Sequence, residues 1–127
     1  MGDERPRVLV VEDSPMMTRM YRMVLGSSHD LVFAEDGATG LDAAASQPAL
    51  DLMIVDINMP RMDGLEFIRR ARSELGLDSV PALVCSTEAG EGDRAAAKAA
   101  GATGFLAKPW TPDDLLAAVA GQLGGAA

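Results

Sequence analysis

Arg7-Val8-Leu9-Val10-Val11-Glu12-Asp13-Ser14-Pro15 passes within nine residues from a continuous β-branched run, through two acids, to a helix start. An unbroken apolar run of this kind fits a strand covered on both faces. Ser14 is a favoured N-cap and Pro15 suits the first helical position. The helix that follows carries Met17, Met20, Tyr21, Val24 and Leu25 at helical spacing and stops at Gly26. A buried strand feeding straight into a helix is the first half of a parallel crossover unit.

Outward from that stretch the same alternation repeats. Leu31-Val32-Phe33-Ala34 reads as a second strand, and the helix after it holds Leu41 and Ala44-Ala45 and ends before Pro48. Leu52-Met53-Ile54-Val55 is a third strand running into Asp56. Pro60 and Asp63-Gly64 mark a loop, and a helix with Leu65, Phe67-Ile68 and Ala71 follows. Pro81 to Cys85 is the fourth strand, with Ser86-Thr87 at its end. Asp93 to Ala100 forms an alanine-rich helix whose approach is loosened by Gly90 and Gly92. Gly104 to Ala107 is the fifth strand, and Thr111-Pro112-Asp113-Asp114 starts the last helix with a cap, a proline and two acids on its positive end. Strict alternation of this kind implies an α/β fold with an open, doubly wound parallel sheet, since each crossover is right-handed and covers the sheet. A closed eight-stranded barrel needs about twice the length.

The chain has 127 residues, 48% of them hydrophobic and 24% charged, which suits a single domain with one core over 1–127 and no output domain. Its net charge of −8 disfavours nucleic acid and anionic membrane as partners, because both are bound through lysines and arginines. Cys85 is the one cysteine, so neither an internal disulfide nor a Cys-x-x-Cys pair exists, and its apolar surroundings point to a buried hydrophobe. His29, beside Asp30, has no ligand spacing around it and reads as a loop residue. No signal peptide or membrane span is legible, which makes the cytoplasm the default location.

In open parallel sheets, ligands bind outside the carboxyl ends of the strands. Glu12-Asp13, Asp56, Ser86-Thr87 and Lys108-Pro109 all stand there. If the first and third strands are neighbours, three carboxylates converge, and a cation or a proton must relieve them. Oxygen-only ligands in a tight site favour Mg²⁺, with Mn²⁺ also compatible. Acids, a metal, one lysine and one hydroxyl make a phosphoryl-transfer site.

Val11-Glu12-Asp13-Ser14, the segment Asp56-Ile57-Asn58-Met59-Pro60-Arg61-Met62-Asp63-Gly64 and Lys108-Pro109 together resemble the receiver domains of two-component response regulators, especially the single-domain chemotaxis regulators. The likeness covers nearly the whole chain. It implies a flavodoxin-like (βα)5 sheet of order 2-1-3-4-5 and a cis Lys108-Pro109 bond. It makes Asp56 the phosphoacceptor, with Glu12, Asp13, Asp56 and the backbone carbonyl of Asn58 holding Mg²⁺. Lys108 becomes the salt-bridging lysine, and Ser86 the hydroxyl that turns toward the phosphoryl group. Phe105 falls on the aromatic switch position, without the hydroxyl that a tyrosine would bring. Asn58 and Glu88 occupy the places that gate the water of dephosphorylation.

The resemblance also implies partners. A histidine kinase or histidine phosphotransfer protein supplies the phosphoryl group, and a target protein docks on helix 4, strand 5 and helix 5 of a monomer. Met16 and Met23 fall off the core stripe and offer a soft docking patch for a kinase. Rival readings fare worse. A small aspartyl-phosphate phosphatase wants an acid where Asn58 stands, and a flavin carrier's phosphate would be repelled by Glu12-Asp13. A degenerate receiver would have lost some of these positions, and none is lost.

Overall fold

The structure, a computed structural model, describes residues 5–47, 49–57, 59 and 62–124. Five strands and five helices alternate: β1 (Arg7–Val11), α1 (Pro15–Leu25), β2 (Asp30–Ala34), α2 (Gly37–Ser46), β3 (Leu52–Asp56), α3 (Gly64–Leu75), β4 (Ala82–Ser86), α4 (Glu91–Ala100), β5 (Gly104–Ala107) and α5 (Pro112–Gln122). The strands form one parallel sheet of order β2-β1-β3-β4-β5, as the alternation and the resemblance implied.

Alternate residues of each strand feed opposite layers, as the period of two requires. Leu9, Val11, Met53, Val55, Ala82 and Val84 meet Phe67, Ile68 and Ala71 of α3 and Ala97 of α4. On the other face Val8, Val10, Leu52, Ile54, Leu83 and Cys85 meet Tyr21 and Leu25 of α1 and Leu115 and Val119 of α5. The central strands β3 and β4 are buried along their whole length, and β5 at the edge is half-buried. That gradient explains why the middle strands are the most continuously apolar. Cys85 is buried, and burial pushes its thiol up to about 11, so it behaves as a packed hydrophobe.

Local chemistry sets the helix starts. The Ser14 hydroxyl accepts from the Met17 N–H at 3.3 Å, and the Asp63 carboxylate accepts from the Glu66 N–H at 2.9 Å. Thr111 and Asp114 cap α5 reciprocally, at 3.0 and 3.1 Å. The start of α4 differs from the expectation. It begins at Glu91, not Asp93, because Asp93 sits one turn in and its carboxylate reaches back to the Gly90 N–H at 3.0 Å. Other boundaries also move: β2 gains Asp30, β3 gains Asp56, and β4 runs Ala82–Ser86 rather than Pro81–Cys85. Ala45 is exposed on α2, while Ala44 is buried.

Arg72 of α3 ties two loops together. Its guanidinium donates to the carbonyls of Leu77, Val80 and, at 2.7 Å, Gly101 at the end of α4. Gly101 has a positive φ of 115°, which favours glycine there. The peptide bond between Lys108 and Pro109 is cis, as expected. His29 lies in the turn after α1, with its Nδ1 3.1 Å from the Leu25 carbonyl.

Candidate functional site

Parallel register brings the ends of the strands level. Val11 pairs with Val55, Asp56 with Cys85, and Ser86 with Ala107. The ladder continues one step beyond them, since Glu12 N–H donates to Ala34 O at 2.9 Å and Lys108 N–H to Ser86 O at 2.8 Å. Glu12, Asp56, Ser86 and Lys108 are therefore fixed by sheet hydrogen bonds rather than by loops. Gly64 completes the frame, as its N–H donates to Ile57 O at 2.9 Å. A Cβ at position 64 would lie 2.1 Å from the Asp56 carbonyl oxygen, so only glycine lets α3 begin this close to β3.

At the centre, Lys108 Nζ donates to Glu12 Oε1 at 3.0 Å and to Asp56 Oδ1 at 3.2 Å. Glu12 and Asp56 are buried, whereas Asp13 is exposed at the rim. Carboxylate oxygens of Glu12, Asp13 and Asp56 all lie within 4.8 Å of one another. Among the described residues this cluster is capable of holding a divalent metal ion, and its all-oxygen donor set suits a hard cation. Asn58 lies outside the described residues, so its backbone carbonyl as a metal ligand and its side chain as a water gate are not placed here.

Charge balance in the cluster is uneven. Burial raises the Glu12 carboxyl above its ordinary 4.5, and Asp56 adds to the rise, against the pull of Lys108 and the Ser14 N–H. Burial draws the Lys108 ammonium down, but Glu12 and Asp56 outweigh it and leave it above its ordinary 10.5. The signs of the linked stabilities follow. Folded protein binds the Glu12 proton more tightly than unfolded protein, so stability falls as pH rises from 4.5 through the folded value and recovers on acidification. The Lys108 contribution is complete below 10.5 and is lost as pH rises through its folded value. In metal-free protein, an NMR titration should place the Glu12 midpoint above 4.5, and Lys108→Met should move it higher. An unmoved midpoint in that variant would contradict the ion pair.

Ser86 is buried, and its Oγ accepts from the Glu88 N–H at 3.0 Å. Accepting there leaves the hydroxyl proton to donate elsewhere. The Glu88 side chain is exposed at the same rim, and Thr87 lines a groove together with Glu12 and Lys108. Phe105 is half-buried on β5, with the Arg94 guanidinium 4.7 Å above its ring.

Beside the Glu12–Lys108 pair runs an apolar groove of about 420 Å³, walled by Met16, Met17 and Met20 of α1 and by Pro109 and Trp110. Trp110 is itself buried and packs on Tyr21, ring centroids 5.3 Å apart. Met16 is 60% exposed and Met23 82% exposed, off the core stripe as the spacing predicted. Sequence reasoning missed the Arg72 staple and the Arg94–Phe105 stack. Neither has a periodic signal, because both depend on where helices land.

Residues 8–120 match the family described as "Response regulator receiver domain". A chemotaxis protein, CheY homolog, of Campylobacter jejuni is 32% identical over 111 residues, 86% of this chain and 85% of that one. The solved chemotaxis response regulator CheY4 of Vibrio cholerae is 33% identical, with a TM-score of 0.88 over 94% of this chain and all of that one. The receiver domain of a Pseudomonas aeruginosa sensor histidine kinase, solved with a magnesium ion coordinated in its active-site cleft, is 26% identical. Its TM-score is 0.86, covering 95% of this chain and 99% of that one.

Proposed function

This chain belongs to the response regulator receiver family, and on that premise we propose that Asp56 accepts a phosphoryl group in a Mg²⁺-dependent transfer from a histidine kinase or histidine phosphotransfer protein. The family places it among signalling receivers rather than classical enzymes. The observation that carries the proposal is Lys108 Nζ bridging Glu12 and Asp56 at 3.0 and 3.2 Å beside the rim carboxylate of Asp13. A lysine held by two buried acids is pre-placed to meet charge that arrives on Asp56.

Glu12, Asp13 and Asp56 would hold Mg²⁺, which supplies neutralisation of the phosphoryl oxygens. The Asp56 carboxylate attacks phosphorus in line, and the new oxygen–phosphorus bond forms as the phosphorus–nitrogen bond of the donor phosphohistidine breaks. The imidazole leaves with the bonding pair. Lys108 stays charged throughout and pairs with the product oxygens. Ser86 then turns its O–H to the phosphoryl group. The methionine-walled groove beside Lys108 receives the donor, as an adaptable apolar surface suited to a helical partner. Exposed Glu88, with Asn58, is assigned to holding the water that later removes the phosphate.

Output leaves through α4, β5 and α5, with Ser86 and Phe105 as the switch. The likeness to chemotaxis regulators makes motility control the favoured setting, with a phosphorelay as the second. Ser86→Ala should still accept phosphate from acetyl phosphate but lose most of its phosphate-dependent capture of a target. One charge-assisted hydrogen bond, about 1.5–3 kcal/mol, sets that difference. The measurement is recovery of target from the protein's own cell lysate, with and without beryllofluoride. Equal beryllofluoride-dependent capture by Ser86→Ala and wild type would refute the coupling.

A further inference from the structure

Three large apolar side chains stand exposed among the described residues, and two of them are methionines of α1, Met16 at 60% and Met23 at 82%. Leucine matches methionine in helix propensity and nearly in bulk, so neither helix formation nor packing calls for sulfur at such positions. Adaptable contact explains part of the choice, since an unbranched thioether fits many partner shapes. Beyond that, methionine adds chemistry, because an exposed thioether is oxidised where an aliphatic side chain is not.

The two methionines differ in where they stand. Met16 walls the groove of about 420 Å³ with Met17, Met20, Pro109 and Trp110, beside Glu12 and Lys108. Met23 lies further along α1, outside that lining. Competing sulfurs are shielded, since Met53 and Cys85 are fully buried and Met59 nearly so. A sulfoxide at Met16 would put a polar, chiral S–O group on a wall that is otherwise apolar, in the groove that Lys108 also lines.

We propose that Met16 is a reversible oxidation site through which a hydroperoxide governs access of the phosphodonor protein to Asp56. The inference rests on the reading of the methionine-walled groove as the donor's seat. In the forward step a lone pair of the Met16 sulfur attacks one oxygen of the peroxide. The S–O bond forms as the O–O bond breaks, the hydroxyl proton passes to the departing oxygen, and water leaves. The thioether gives up two electrons and the peroxide takes them. A methionine sulfoxide reductase supplied with a dithiol reverses the step, returning the thioether and water and leaving a disulfide. A small phosphodonor has no need of the apolar wall, so oxidation should separate the two kinds of donor.

The test treats the purified protein with hydrogen peroxide and maps sulfoxide by peptide mass spectrometry. Met16 and Met23 should oxidise first, with Met53 and Met59 about tenfold slower or more. Oxidised protein should take phosphate from acetyl phosphate as before. Its labelling by an extract of its own cells charged with radioactive ATP, through the resident histidine kinase, should slow about fivefold, the scale of one partly buried methionine. Reductase and dithiol should restore it. Met16→Gln, which carries a polar oxygen without oxidation, should slow extract labelling likewise. In Met16→Leu the treated and untreated rates should coincide, whatever their level, whereas Met23→Leu should leave the peroxide effect in place. Oxidation of Met16 no faster than of Met53, extract labelling indifferent to peroxide, a peroxide effect that survives in Met16→Leu, or loss of uptake from acetyl phosphate would each overturn the proposal. An extract that fails to label even untreated protein, while acetyl phosphate labels it, would refute the donor reading and the proposal with it.

Discussion

Replacing Asp56 by asparagine is expected to abolish phosphate uptake from acetyl phosphate and Mg²⁺, lowering its rate by at least about a thousandfold. An amide of the same shape has no carboxylate oxygen to attack phosphorus. Stability gives a clean control. Asp56 and Glu12 are two buried acids sharing one ammonium, and Asp56→Asn would remove one negative charge while keeping an oxygen for Lys108 to bond at the present 3.2 Å. Relieving a like-charge pair costs little or stabilises, and it should lower the Glu12 carboxyl toward its ordinary value. Loss of uptake with an unchanged or higher urea midpoint would therefore be a loss of chemistry. Intact-mass measurement reads the first quantity and denaturation the second. Uptake by Asp56→Asn to the wild-type extent would remove Asp56 from its role.

Asp13→Ala should separate metal binding from folding more sharply still. Asp13 is exposed, and no hydrogen bond or ion pair holds it among the described residues, so its removal should change stability by no more than about 0.5 kcal/mol. Yet it provides one of the three oxygens within 4.8 Å of one another. Losing a direct ligand should cost more than losing a supporting contact, which puts the expected fall in Mg²⁺ affinity at about a hundredfold or more. Phosphate uptake at fixed Mg²⁺ should fall with it and recover partly at high Mg²⁺. Calorimetry reports the affinity directly, and Trp110, lining the groove with Glu12 and Lys108, offers a fluorescence reading. Asp51→Ala serves as control, because that acid accepts from the Arg7 N–H at 2.8 Å at the far end of the sheet. An Asp13→Ala protein that binds Mg²⁺ as wild type does would sink the metal assignment.

Sheet and helices were legible because each element carries its own signal. The continuous apolar runs of β1 and β4 read as buried strands, and Ser14 and Thr111 mark helix starts by chemistry that depends on a few neighbouring residues. Asp63 read as a loop marker, and its capping of α3 shows only in the structure. The acids and Lys108 were legible as a cluster only once register was granted, since 96 residues separate Lys108 from Glu12. Helix α4 was placed two residues short. Glycines at 90 and 92 read as loosening, whereas the Asp93 carboxylate returning to Gly90 closes the first turn around them. The Arg94–Phe105 stack and the Arg72 staple left no trace in the pattern. Each joins groups set by side-chain conformation and helix placement, which a periodicity does not encode.

The central claim is that the phosphoryl group becomes an acyl phosphate on Asp56. Borohydride reduces an acyl phosphate of aspartate to homoserine and leaves free carboxylates alone, so it marks the acceptor within the intact wild-type protein. Freshly phosphorylated protein, trapped this way and sequenced as peptides by mass spectrometry, should carry homoserine at position 56 and unchanged residues at 12, 13 and 51. Homoserine at Asp13 or at any other acid, or a phosphoryl group found on His29 with no homoserine anywhere, would contradict the account.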